Sequence, residues 1–285
     1  MEKKIKRYII ALAKILLSIT ALIIVFRKID IRELEKIISS SNIFLLLTAV
    51  VFFILSKIVA AFRLNIFLRN EQVHISDKFN LRLYLLGMYY NLFLPGGISG
   101  DGYKVYLLNK LTKVKVKDIL HAVITDRVTG LLALLCINLV LTIYLPVNSV
   151  LKVLLWLAVP LVLLLFYFII ERFFKQYRTS FTKTNLQAFF VQLLQLASAF
   201  FIMKSIGIDQ YYGSYLFIFL LSSVVAIIPF TIGGIGAREV TFLISARILE
   251  LNPEQSLSIS VLFFLITAVV SLAGIYYSIR FRNIE

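Results

Sequence analysis

Six apolar stretches dominate the chain: Ile9–Phe26, Ile43–Ala61, Ile119–Tyr144, Leu151–Ile170, Leu186–Ser205 and Leu257–Ile279. A hydrocarbon core about 30 Å thick takes about 20 helical residues to cross. Each stretch is near or above that length and reads as a membrane span. Composition agrees. Hydrophobic residues make up 60% of the 285, against about 45–50% in soluble domains.

Between the spans lie two glycine-rich breaks. Leu94-Pro95-Gly96-Gly97-Ile98-Ser99-Gly100-Asp101-Gly102 is echoed at Ile228-Pro229-Phe230-Thr231-Ile232-Gly233-Gly234-Ile235-Gly236-Ala237-Arg238-Glu239. Pro and Gly interrupt helices. At membrane depth, broken backbone survives only when buried in protein or lining a wet cavity. The breaks at Pro95, Gly96, Gly97 and Gly100, and at Pro229, Gly233, Gly234 and Gly236, therefore point to a binding site between two half-helix pairs.

Charge sets the topology. Thirty Lys+Arg against fifteen Asp+Glu give +15. Basic residues mark inner loops at Lys3–Arg7, Arg63–Lys78, Lys104–Lys117, Arg172–Lys183 and Arg280–Arg282. That pattern places both termini in the cytoplasm of a multi-pass cell-membrane protein. The outer segment 27–42, with Arg27, Lys28, Arg32 and Lys36, departs from it. Ile29–Ser39 is amphipathic and is expected on the outer surface. Met1–Phe26 has the basic start of a signal peptide, but Ile23-Ile24-Val25-Phe26 offers no small-residue cleavage site, so it is taken as a retained span.

Leu81–Leu94 is too short to cross fully, and a full crossing would carry the lysine cluster after the loop outside. A re-entrant hairpin resolves this; eight full crossings is the alternative. Span, span, hairpin and span then recur with an offset of roughly 140 residues and opposite orientation. The expected fold is an all-α integral membrane protein. It is one polytopic domain with inverted halves at 1–145 and 146–285, each of three spans plus a hairpin.

Asp101 and the pair Arg238–Glu239 follow their breaks closely, in the first turn of a returning half-helix. A helix N-terminus there favours an anion, and Arg238 suits a phosphate. Asp101 as a helix cap, or a charge network holding the halves together, is the plainer reading. Asp126 and Arg127 are adjacent and diverge by about 100°, so they cannot bury on one face. Gln195, with Gln187, Gln192 and Ser198, lines one face of its span, for helix–helix hydrogen bonds or a polar groove. Asn91 and Tyr90 are candidates for the same cavity. Tyr84 and other tyrosines read as interfacial belts.

Several classes drop out. Cys136 is the only cysteine, which excludes an intrachain disulfide and a thiolate metal site. His74 and His121 lack partners at metal spacing. There is no phosphate-loop motif and no nucleophile–base set. No cofactor or metal is expected. Nucleic acid is not expected either, because no basic run stands clear of apolar spans.

Leu94-Pro95-Gly96-Gly97-Ile98-Ser99-Gly100-Asp101, Asp126-Arg127-Val128-Thr129-Gly130-Leu131 and Pro229 through Glu239 together resemble the lysylphosphatidylglycerol synthase transmembrane, flippase-like family. The resemblance covers almost the whole chain; Thr231-Ile232 departs where a second Pro is expected. It implies a protein that moves aminoacylated or other phospholipids between leaflets. In larger members a soluble domain transfers lysine to phosphatidylglycerol. With Glu285 closing the chain soon after its final span, that lysyltransferase activity is not expected here. The expected partners are membrane phospholipids, with a homo-oligomer or a separate synthase also compatible. A membrane-embedded lipid-modifying transferase and a non-transporting assembly subunit are the alternatives.

Overall fold

The computed structural model describes residue 37 and residues 39–93, 99–226 and 236–280. Among them are nine bounded α-helices and two 3-10 turns, with no strand. In chain order the helices are α1 (Ile43–Asn70), α2 (Asp77–Phe93), α3 (Ser99–Thr112), α4 (Val116–Leu141), α5 (Ser149–Phe173), α6 (Phe181–Ser205), α7 (Tyr212–Val225), α8 (Ala237–Ile248) and α9 (Pro253–Arg280). The 3-10 turns are Thr142–Tyr144 and Lys175–Ser180.

Local chemistry sets the ends. Asn42 opens α1 by accepting from the amides of Phe44 and Leu45. Asn148 opens α5 by accepting from Val150. Both are side-chain caps for amides with no partner inside the helix.

Ile43–Asn70, Val116–Tyr144, Ser149–Phe173, Lys175–Ser205 and Pro253–Tyr277 are long and apolar enough to cross a membrane. They match five of the six expected spans, and the chain is an all-α, multi-pass membrane protein. The expected span Ile9–Phe26 lies outside the described residues, as does most of the amphipathic stretch 29–39. The strongest sign of a lipid environment is α5, where only 11% of the apolar window is buried. Leu154, Leu157, Leu161 and Phe168 all stand more than half exposed along it. A surface that apolar belongs against lipid rather than water.

The other four helices are short. α2 has 17 residues, α3 and α7 have 14, and α8 has 12. At 1.5 Å per residue they reach from about 26 Å down to about 18 Å, short of a core of about 30 Å. They pack as two pairs, α2 on α3 and α7 on α8. In the first pair Gly100 meets Asn91 and Gly87 while Lys104 meets Gly87 and Tyr84, so the arms run antiparallel. A Cβ on Gly100 would lie 2.0 Å from the Gly87 carbonyl oxygen. The two backbones touch there, which only glycine permits.

One boundary differs instructively. The sequence places Arg63 in an inner loop beyond a span ending at Ala61, whereas α1 runs on to Asn70 and Arg63 is buried within it. The helix continues through the charge because Asp126 of α4 meets it.

The tightest seam joins α1 to α6. Ala49, Ser56 and Ala60 of α1 are buried, as are Ala188, Ser198 and Ala199 of α6. Ser198 donates its hydroxyl to the Ala49 carbonyl at 2.8 Å. Small residues let membrane helices approach backbone to backbone. The hairpins are then embraced from across the chain: α9 packs on α2, and α4 packs on α7.

Candidate functional site

Ionisable residues are costly at membrane depth and usually face the interior of a bundle. Here they gather beside the two short helix pairs. Asp101, in the first turn of α3, is 6% exposed. One carboxylate oxygen accepts from Lys104 Nζ at 3.0 Å, and the other accepts from Arg127 Nε of α4. Lys104 lies one turn along α3 from Asp101, the spacing at which opposite charges meet on a helix. Its amine also sits over the Tyr84 ring, 4.6 Å from the centroid.

Asn91 closes the first hairpin. Its Oδ1 accepts from the Gly100 amide at 2.8 Å, one of the first-turn amides that has no partner inside α3. Tyr90 packs on Tyr103 with ring centres 4.7 Å apart.

A second pair lies alongside. Arg63 Nε donates to Asp126 Oδ1 at 2.7 Å, and its Nη2 donates to the Asp126 carbonyl at 3.1 Å. Asp126 and Arg127 thus turn to different partners, Asp126 inward to α1 and Arg127 to α3. Tyr84 lies within electrostatic reach of Asp126, Arg63, Asp101 and Arg127, amid the charges.

The second hairpin is built differently. Gly236 has φ +92°, a conformation that L side chains rarely adopt. Glu239 reaches back so that Oε2 accepts from the Gly236 amide at 2.6 Å, while Oε1 accepts from Ser260 of α9 at 3.2 Å. This is the returning half of a capping box. Arg238 Nη2 donates to Ser223 Oγ of α7 at 2.7 Å. Its guanidinium lies over Phe263, 4.9 Å from the ring centre, and near Phe219 at 5.8 Å. Lys57, midway along α1, stands over the Phe53 ring with Nζ 4.5 Å from its centre.

Asp101 therefore pairs with Lys104 and Arg127, not with Arg238. Among the described residues, the ion pairs of this cluster, Asp101 with Lys104 and Arg127 and Asp126 with Arg63, all lie within the first half of the chain. The halves meet instead through Ser198 on Ala49 and through Gln192, whose Nε2 donates to the Gly130 carbonyl at 3.1 Å. Gln195 is half-buried and makes no hydrogen bond to a described residue. Pro95, Gly96, Gly97, Pro229, Gly233 and Gly234 lie outside the described residues.

Sequence reading passes over Arg63, Lys104, Lys57 and Ser223. The charge pattern places Lys104 among inner-loop lysines, yet it is buried on Asp101. Its three-residue spacing from Asp101 is the signal that could have found it.

Among the described residues, five long apolar helices, two packed pairs of shorter helices and a buried cluster of charges define a polytopic α-helical membrane protein with a polar interior. Residues 11–274 match the family model described as the lysylphosphatidylglycerol synthase TM region. The chain belongs to that family, which makes it a membrane protein related to lipid synthesis or translocation. Comparison with curated proteins finds no match.

Proposed function

We propose that this protein moves a phospholipid with an anionic phosphate between the leaflets of the cell membrane. Arg238 anchors the phosphate while the acyl tails remain in lipid. The observation that carries this reading is the position of Arg238. It stands at the start of a short helix, held by a hydroxyl and aromatic rings rather than by a carboxylate partner. Such a guanidinium keeps its charge available for a phosphate, which it can grip bidentately. Asn91, Asp101, Asp126, Arg127, Gln195 and Glu239 frame the path around it.

In this reading the two short helix pairs are re-entrant hairpins, one from each face, belonging to halves of inverted topology. The reciprocal packing of α9 on α2 and α4 on α7 supports that arrangement. Both termini are cytoplasmic. A second copy, or a separate synthase supplying the lipid, is a compatible partner.

The test is leaflet transfer in reconstituted vesicles with headgroup-labelled phospholipids. Wild-type protein should move label across and Arg238→Ala should not. Absence of transfer for every lipid tried, or equal transfer by the variant, counts against the proposal. Product formation in detergent, where there are no leaflets, would favour a transferase instead.

A further inference from the structure

Charge at membrane depth has to be balanced, so the cluster can be read as a ledger of partners. Five described cations meet there: Lys57, Arg63, Lys104, Arg127 and Arg238. Three carboxylates face them. Asp126 holds Arg63, and Asp101 holds both Lys104 and Arg127. Glu239 is turned onto the Gly236 amide and the Ser260 hydroxyl. Lys57 and Arg238 are left without a described carboxylate at ion-pair distance.

The two cations also share one support. Lys57 Nζ lies 4.5 Å from the centre of the Phe53 ring. Phe53 meets Phe263 edge to face at 5.4 Å, and Phe263 meets Phe219 at 4.6 Å. Arg238 lies over Phe263 and Phe219. Rings from α1, α9 and α7 thus form a continuous aromatic floor beneath both charges. A ring face attracts a cation without neutralising it, and each cation repels the other until an anion arrives.

We propose that Lys57 and Arg238 together form a two-cation seat for a dianionic lipid headgroup, a phosphomonoester or a diphosphate diester. This rests on the phosphate reading above and narrows it. A phosphodiester brings one negative charge and leaves one cation unmatched. An aminoacylated headgroup brings positive charge to a site whose carboxylates are already engaged. The preferred order is therefore dianion, then phosphodiester, then aminoacyl phosphodiester.

The test is calorimetric binding to purified full-length protein at pH 7, where a phosphomonoester with a second pKa of about 6 carries close to two charges. The probes are dihexanoyl phosphatidate, dihexanoyl cytidine-diphosphate diacylglycerol, dihexanoyl phosphatidylglycerol and its lysyl ester. At least one dianion should bind about tenfold tighter than phosphatidylglycerol, the gain expected from one added desolvated charge pair. Preference for only one of the two dianions supports the seat and identifies the source. Lys57→Met should bring dianion and phosphodiester within about twofold of each other while leaving the melting temperature near wild type. Lys57→Arg should keep the preference. Equal binding of dianions and phosphatidylglycerol, tightest binding of the lysyl ester, or a preference untouched in Lys57→Met overturns the two-cation seat alone. If none of the four lipids binds, the phosphate reading itself falls and the seat with it.

Discussion

The two hairpins begin alike in sequence and end with opposite electrostatics. In the first, Asp101 is buried and engages two cations at once. In the second, Arg238 occupies the matching place in the first turn and rests on a hydroxyl and two rings. One tip is saturated by its own chain and the other is not. A buried charge with its partners in place holds structure together, and losing one partner strands the rest. A cation without a carboxylate contributes little to the fold and remains open to a ligand. Similar motifs can thus divide labour, the first hairpin holding the architecture and the second meeting the lipid.

That division is breakable by mutation. The largest effect should come from Asp101→Ala, which takes the carboxylate from the buried Lys104 amine and should cost about 3–5 kcal/mol, read from denaturant unfolding in detergent. If it costs no more than Arg238→Ala, the contrast between the tips fails. Next is Gly100→Ala, whose Cβ would meet the Gly87 carbonyl oxygen at 2.0 Å. Forcing the arms apart should cost about 1–3 kcal/mol, visible as a lower melting temperature. Arg238→Ala orphans no carboxylate, so it should change stability by no more than about 1 kcal/mol while lowering leaflet transfer at least about tenfold. The smallest change should follow Ser198→Ala. Its interhelical hydrogen bond is worth about 0.6 kcal/mol in a membrane setting, and transfer should persist.

Hydropathy made the long helices legible, because a bilayer crossing needs one continuous apolar run. Pro and Gly marked the two short pairs, and three motifs taken together pointed to the family later matched over residues 11–274. The interior charges were harder. Counting Lys and Arg as loop markers assigns Arg63 and Lys104 to the cytoplasmic edge, and that rule has no means of recognising a buried partner. Arg63 meets Asp126 only because α1 and α4 pack, and 63 residues of chain separate the two. Nothing local records such a pairing. Lys57 is a related case. A single basic residue inside a span invites the reading that it snorkels outward, and only the aromatic floor shared with Arg238 reveals its direction.

The seam between α1 and α6 has a mechanical corollary. Helices that mesh through Ala49, Ser198 and Ala199, with a hydroxyl locked onto a facing carbonyl, have no slack for sliding. Rolling is the cheaper motion for such a pair, as for an axle in a close bearing. Any rolling about that axle would carry Asp101 and Arg238, on helices that lie off it, past Lys57 and Arg63, which ride on the axle itself.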